Sequence, residues 1–156
     1  MIEKKHMKRI VLLALIAFSG LSLKAQLNPV SWSFSAVKTG DKQYEIRMVA
    51  TIQQSWHLYS QVQPEDAIAI PTQFNFNANP LVSLEGKIQE LGKMEKFTDK
   101  NLGVSANQYS KTVTFVQKLK MKAKAKTKLT GSVEYQTCDD HKCLPPKTVL
   151  ISVEIK

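Results

Sequence analysis

Two cysteines, Cys138 and Cys143, are the residues of this chain whose type and spacing point most directly to chemistry. They are the only cysteines in the sequence, and the four residues from Asp139 to Lys142 separate them. Because those four residues are polar or charged, the two cysteines cannot both lie in an apolar core. The spacing therefore predicts a disulfide, a reactive thiol pair or part of a metal site.

The sequence supports a structural disulfide, a redox-active pair and a metal site to different degrees. A structural disulfide closing so short a ring would stabilise the fold by roughly 2 kcal/mol, which is little for a domain with its own core. A redox-active pair would explain the exposed, tightly looped position, and the cations beside Cys143 would favour its thiolate over that of Cys138. A zinc or copper(I) site would be only half of a usual two-pair site. Its ligands would be Cys138, His141 and Cys143, with Asp139 or Asp140 as a fourth.

The compartment in which the chain works bears on this choice. Residues 4–9 are mostly basic, residues 10–23 form an apolar stretch, and Ala25 supplies the small residue before a plausible cleavage site. This order predicts a secretory signal peptide over residues 1–25 and a soluble exported domain over residues 26–156. Disulfides form and persist outside the cytosol, so the predicted export favours a bonded cysteine pair.

Length and charge limit the classes of function. The mature segment is long enough for one domain with a real core. Its net formal charge falls from +9 to +5 once the predicted signal peptide is removed, with 17 basic against 12 acidic residues remaining. So modest a charge does not favour nucleic-acid binding, and we expect a monomer without nucleic-acid partners.

Apolar and polar residues alternate with a period of two along most of the mature chain, and no segment has a sustained helical period. Half-buried antiparallel strands have this pattern, and many short strands separated by Gly, Pro and Asn predict an all-β, immunoglobulin-like antiparallel β-sandwich. Six alternating lysines between Lys118 and Lys128 predict one charged strand face, interpreted as a solvated edge, with a basic patch for an acidic partner or membrane headgroups as the alternative. The other predicted strands include residues 32–36, 43–52, 73–76, 112–115, 129–135 and 149–155.

The segment from Tyr135 to Pro146 resembles the active-site segment of the periplasmic N-terminal domain of DsbD-type thiol:disulfide interchange proteins. Both have a tyrosine, a first cysteine, a short polar loop, a second cysteine and a Pro-Pro pair. The stretch from Gln54 to Ser60 is similar to the family's early Trp-His-apolar-Tyr-Ser segment. Residues 97–103 lie where that family has a loop covering the active site. The resemblance extends over essentially the whole mature chain.

The resemblance implies an immunoglobulin-like domain that acts as a protein-disulfide reductase or interchange domain. Cys138 and Cys143 would be the redox pair, and neither a cofactor nor a metal would be needed. Electrons would come from a membrane-embedded donor and pass to thioredoxin-like periplasmic proteins, including factors of cytochrome c biogenesis. The residues implied around the pair are Tyr135, Asp139, Asp140, His141, Lys142, Pro145 and Pro146, with Phe97, Asn101 and Leu102 in the covering loop.

The sequence departs from the best-known family members in three ways. Four residues separate the cysteines instead of five. Asn101 and Leu102 stand where those members have adjacent aromatic residues in the covering loop. The chain also ends at Lys156, without the following membrane and thioredoxin-like domains, so we expect a stand-alone version that relies on separate partners. A non-catalytic exported binding module, with a structural disulfide in its recognition hairpin, is the alternative.

Overall fold

A computed structural model describes residues 27–156, and the predicted signal peptide therefore lies outside the described residues. Within this range the chain forms eleven β-strands, joined by turns and short loops, and it contains no helix that could cross a membrane. The strands are Val30–Gly40 (β1), Gln43–Ile52 (β2), His57–Tyr59 (β3), Gln73–Phe76 (β4), Val82–Leu91 (β5), Met94–Asp99 (β6), Val104–Tyr109 (β7), Thr112–Met121 (β8), Thr127–Tyr135 (β9), Thr137–Cys138 (β10) and Lys147–Ile155 (β11).

The strands form three antiparallel sheets. The largest has the order β1-β2-β8-β5, and a three-stranded sheet has the order β11-β9-β4. A second four-stranded sheet, here called the small sheet because its strands are short, has the order β10-β3-β7-β6. The prediction of an all-β antiparallel sandwich is confirmed.

The apolar core lies between the largest sheet and the three-stranded sheet. Alternate residues of β2 are buried, from Tyr44 to Ile52, as the period-two pattern requires. Aromatic rings join the two sheets: the Phe115 ring on β8 lies 4.9 Å from that of Phe74 on β4, and Trp32 on β1 lies 5.5 Å from Tyr135 on β9, between ring centroids. Packing across the sandwich therefore anchors β9, the strand that leads into the cysteine segment.

The six segments predicted as strands from their alternation all lie in observed strands. Five strands were not predicted, namely β3, β5, β6, β7 and β10, because they are short or carry mostly exposed residues and so lack a clear pattern. The prediction that the six lysines share one strand face was wrong. Strand β8 ends at Met121, and residues 122–126 form a connection to β9.

The connection between β9 and β11 carries the cysteines. These two strands pair in register from Tyr135 with Lys147 to Thr127 with Ile155, so residues 136–146 project from one end of the pair. Within that projection the two-residue strand β10 pairs with β3 and joins the small sheet. The cysteine segment is therefore held by the sandwich through its ends and by the small sheet through its middle.

Candidate functional site: a disulfide hairpin beside a cleft

Cys138 and Cys143 form a disulfide, with their Cα atoms 4.0 Å apart and opposite each other in an antiparallel bridge. The four intervening residues make the tip of a hairpin. The backbone N–H of Asp139 donates to the carbonyl of Lys142 at 2.9 Å, which closes the turn. The predicted hairpin with residues 139–142 at its tip is what the structure contains.

The side chain of Asp139 shapes the tip. Its Oδ1 accepts hydrogen bonds from the backbone N–H groups of His141, at 2.8 Å, and Lys142, at 2.7 Å. The bond from His141 is the main reason that the pKa of the Asp139 carboxyl is lowered from 3.8, since hydrogen bonds favour the ionised form. Asp139 is thus an ionised turn residue, as aspartate commonly is at such positions.

Backbone and side-chain bonds fix the base of the hairpin. The N–H of Leu144 donates to the carbonyl of Thr137 at 2.9 Å. The Gln136 amide donates through Nε2 to the Leu144 carbonyl at 3.3 Å and accepts through Oε1 from the N–H of Ile70 at 3.1 Å. These bonds connect the hairpin to the loop before β4, so its position is set by distant parts of the chain.

The two cysteines differ in exposure. Cys138 is only 4% exposed and packs with Tyr59 and Ala106 of the small sheet, whereas Cys143 is an exposed residue. A nucleophile from another protein can therefore approach Cys143 more readily than Cys138. This asymmetry matches the inference from local charge that Cys143 is the more reactive of the two.

A cleft of about 480 Å³ lies beside the disulfide. Three large apolar side chains on it are well exposed, namely Ile68 at 78%, Leu102 at 71% and Phe97 at 47%. Exposed apolar groups that cluster on one surface are typical of a site that meets another protein. The other lining residues are Tyr59, Ala69, Asp99, Val104, Ser105, Ala106, Gln136, Cys138, Asp139, Asp140, His141, Lys142 and Cys143.

The turn between β6 and β7 forms part of this cleft. Asp99 accepts hydrogen bonds through Oδ1 from the N–H groups of Asn101, at 2.8 Å, and Leu102, at 3.1 Å. Gly103 follows with a φ of +66°, a conformation that glycine adopts without strain. An aspartate thus organises the turn in this wall of the cleft, as Asp139 does in the hairpin tip.

The structure brings together some of the predicted site residues and separates others. The four tip residues lie in the cleft with both cysteines, and so do Phe97 and Leu102, whereas Asn101 is not part of its lining. The remaining predicted residues lie elsewhere. They are among those lining a second cleft of about 300 Å³, namely Tyr135, Pro145 and Pro146.

Tyr135 is buried at the end of β9, and its burial raises the pKa of its phenol. Its hydroxyl makes no hydrogen bond within the described part of the chain. Pro145 and Pro146 both follow trans peptide bonds, since residues 27–156 contain no cis bond. These three residues belong to the base of the hairpin.

Sequence reasoning missed Ile68 and Ala69, which come from the loop before β4 and line the cleft. It also missed Ser110, whose Oγ lies 3.0 Å from Nδ1 of His57, 53 residues away in sequence. Local patterning carries no signal for such contacts, because they arise only when strands distant in sequence pair. His57 itself is half-buried and hydrogen-bonded to Ser110.

The metal-site alternative has no support in the geometry. Among residues 27–156, no group of three or more His, Cys, Asp or Glu side chains is placed to hold a metal ion. Cys138 and Cys143 are bonded to each other, so neither offers the thiolate that a zinc or copper(I) site needs.

The sequence matches a family model described as "Thiol:disulfide interchange protein DsbD, N-terminal" over residues 24–155. No curated protein sequence matches the chain significantly.

Solved structures that share its fold include two N-terminal domains. The reduced DsbD N-terminal domain of Neisseria meningitidis is 15% identical, with a TM-score of 0.52, and the match covers 85% of this chain and 92% of that one. The N-terminal periplasmic domain of ScsB from Proteus mirabilis is 17% identical, with a TM-score of 0.53, and the match covers 88% and 50%, respectively.

Proposed function

The chain belongs to the family of DsbD N-terminal domains, and we propose that it exchanges thiols and disulfides with other exported proteins through Cys138 and Cys143. The family implies thiol:disulfide interchange, and the chain carries a cysteine pair at bonding distance. The disulfide is itself the redox group. The observation that carries the proposal is its placement, with one exposed and one buried cysteine beside an apolar-rimmed cleft.

Exchange begins at the exposed residue. In the oxidised protein, a thiolate of the partner attacks Sγ of Cys143, the S–S bond breaks, and its electron pair moves to Sγ of Cys138. A second thiolate of the partner then attacks the mixed disulfide, which leaves this protein as a dithiol and the partner as a disulfide. The same steps in reverse reduce a partner's disulfide, with Cys143 attacking and Cys138 resolving the intermediate.

The partners we propose are thioredoxin-like proteins of the periplasm, including those of cytochrome c biogenesis, with a membrane-embedded protein as the source of electrons. Thioredoxin-like proteins suit the site because they present a reactive cysteine at a solvent-exposed surface, which can meet Cys143 without unfolding either protein. The exposed side chains of Ile68, Phe97 and Leu102 supply an apolar surface around the point of contact.

The turn between β6 and β7 acts as the covering loop in this proposal. Phe97 and Leu102 take the role of the adjacent aromatic residues in the best-known family members, because both side chains line the cleft that contains the disulfide. Asn101 contributes through its backbone N–H, which helps to form the turn around Asp99.

The reduction potential of the Cys138–Cys143 pair tests the proposal directly. The purified protein is equilibrated across glutathione and dithiothreitol series, and its free thiols are then trapped and counted. We expect a potential within the range of thioredoxin-like proteins, between about −270 and −120 mV. A potential below about −300 mV would instead identify a structural disulfide and favour the non-catalytic binding module.

A further inference from the structure

A line of polar side chains runs from the hairpin tip into the small sheet, and the exchange steps described above do not use it. The Nε2 atom of His57 lies 3.6 Å from Oδ1 of Asp140. The Nδ1 atom of the same ring lies 3.0 Å from Oγ of Ser110, which donates to Oε2 of Glu95 at 2.9 Å. The line therefore connects Asp140, at the tip, with Glu95 on β6.

His57 stands directly opposite the buried cysteine. Cys138 on β10 pairs with His57 on β3 in the antiparallel register. Side chains of opposed residues lie on the same face of a sheet, with their Cβ atoms about 4.5–5.5 Å apart. The imidazole and the sulfur of Cys138 are therefore neighbours on one face. The His57 side chain is 21% exposed, so the ring can still exchange protons with solvent.

The hydrogen bonds determine which ring nitrogen is available for proton transfer. The single hydroxyl proton of Ser110 is directed to Glu95, so the serine oxygen accepts a hydrogen bond from His57. This places a proton on Nδ1 and leaves Nε2 as the nitrogen that can give or take a proton. Asp140 and Glu95 are the titratable groups that face His57 and Ser110 from the hairpin and from β6.

The sulfur of Cys138 needs such a group. Because Cys138 is buried, a thiolate formed there when the disulfide breaks is poorly solvated by water. Asp139, His141 and Lys142 lie at the tip of the hairpin and do not pair with Cys138 across the strands. Two titratable side chains are its neighbours: Tyr59 packs against it, but burial raises the pKa of that phenol, whereas His57 lies directly opposite it in the strand register.

We propose that His57 is the proton donor and acceptor for Cys138 during disulfide exchange, with Ser110 and Glu95 as positioning residues. This inference rests on the proposed function. When a partner thiolate bonds to Sγ of Cys143, the electron pair of the broken S–S bond goes to Sγ of Cys138. That sulfur takes the proton from Nε2, leaving a thiol and a neutral imidazole. In reverse, the Cys138 thiol returns its proton to Nε2 and its sulfur displaces the partner from Cys143.

Asp140 is the acidic side chain beside the ring nitrogen that takes part in the transfer, with its Oδ1 3.6 Å from Nε2 of His57. Ser110 and Glu95 keep the ring from turning, so that the same nitrogen remains available. The arrangement also connects the state of the disulfide to the hairpin tip. Once His57 has given its proton to Cys138, the neutral ring attracts the Asp140 carboxylate less.

The test is the rate at which dithiothreitol reduces the protein, measured between pH 5 and 8 by thiol trapping and divided by the concentration of dithiothreitol thiolate. In the unmodified protein we expect this normalised rate to fall as the pH rises, because proton donation to Cys138 requires the protonated ring. His57→Gln should reduce the normalised rate about tenfold or more at pH 5 and remove its dependence on pH. A His57→Gln protein with the unmodified rate and profile would overturn the inference.

His141→Gln is the matched control, since it makes the same chemical change in the other histidine of the site, at the exposed tip. Its normalised rate should keep the dependence on pH, and the loss of that dependence would assign the proton transfer to His141 and overturn the role of His57. If His57→Gln does not fold, as judged by circular dichroism, Ser110→Ala replaces it. That variant should lower the normalised rate several-fold at pH 5 while retaining the pH dependence, and an unchanged rate would contradict the positioning role.

Failure of the proposed function is distinguishable from failure of this inference. If the reduction potential of the Cys138–Cys143 pair in the unmodified protein lies outside the range of thioredoxin-like proteins, the proposed function fails. If it is reduced readily and His57→Gln behaves identically, only the role of His57 fails.

Discussion

The sandwich and the small sheet are stabilised in different ways. Between the two larger sheets, fully buried apolar side chains such as Ile46, Met48 and Phe115 pack together. The small sheet contributes Leu58 and Tyr109 to this core, and its own separate buried cluster is small, with Tyr59, Ala106 and Cys138.

Polar side chains add further contacts between the small sheet and its neighbours. Glu90, on β5 of the largest sheet, accepts hydrogen bonds from the hydroxyls of Ser60, at 2.7 Å, and Tyr109, at 2.5 Å. The Gln63 amide also bonds to the backbone of Asn107, on β7, in both directions.

This difference indicates how stability and exchange are divided within one domain. Apolar burial gives the sandwich most of the folding free energy. A region held by hydrogen bonds opens at a lower free energy than a packed core, and sites that bind other proteins are often found in such regions. We therefore expect changes in the sandwich to affect unfolding, and changes around the small sheet to affect local opening and exchange.

The largest expected effect is on exchange at the cysteines. Cys143→Ser should abolish reaction with a thioredoxin-like protein, because the exposed sulfur is lost. Cys138→Ser should still form a mixed disulfide through Cys143 and accumulate it, because the resolving sulfur is missing. Gel electrophoresis without reductant, after thiol trapping, distinguishes the two variants. Normal turnover by either one would break the assignment of exchange to this region.

The next largest effect is on the stability of the sandwich. Phe115→Ala removes a fully buried ring and should lower the free energy of unfolding by about 3–5 kcal/mol, measured by denaturant titration. The reduction potential of the folded protein should not change. The control is Leu150→Ala, which truncates an exposed side chain of β11 and should change stability by less than about 0.5 kcal/mol. A changed potential in Phe115→Ala would show that the two regions are not separable.

A smaller, local effect is expected at the contact between the regions. Glu90→Gln keeps the shape of the side chain but replaces a charged acceptor, so the bonds to Ser60 and Tyr109 weaken and about 1–3 kcal/mol is lost. Amide hydrogen exchange should quicken in β3 and β7 while remaining slow in β2 and β8. Glu154→Gln, which makes the same change in an exposed side chain of β11, serves as the control. Uniformly faster exchange throughout the chain would contradict local opening.

The smallest effect concerns acid pH at the hairpin tip. The lowered pKa of Asp139 means that folding favours its ionised form. Its contribution to the stability of the folded protein is therefore present above pH 3.8 and is lost as the pH falls through the lower pKa of the folded state. The amide chemical shifts of His141 and Lys142 should follow this titration, because both N–H groups bond to Asp139. Asp139→Asn should remove the titration from both amides, and its persistence there would assign it to another group.

Local patterns predicted much of the sandwich but little of the small sheet. Strands β2, β9 and β11 alternate between buried and exposed residues, and such alternation is visible in the sequence. By contrast, β3 and β10 contain three and two residues, too few to show a period. Their pairing depends on the rest of the fold, so the residues around Cys138 could not be assigned from sequence.

The sequence by itself determined the strands of the two larger sheets other than β5, the spacing of the two cysteines and the turn between them, because each depends on residues close in the chain. Tertiary structure decided which cysteine is buried, which side chains line the cleft, and that His57 faces Cys138. These features join strands far apart in sequence. Their geometry follows from the packing and hydrogen bonding of whole sheets, which no local pattern of residues specifies.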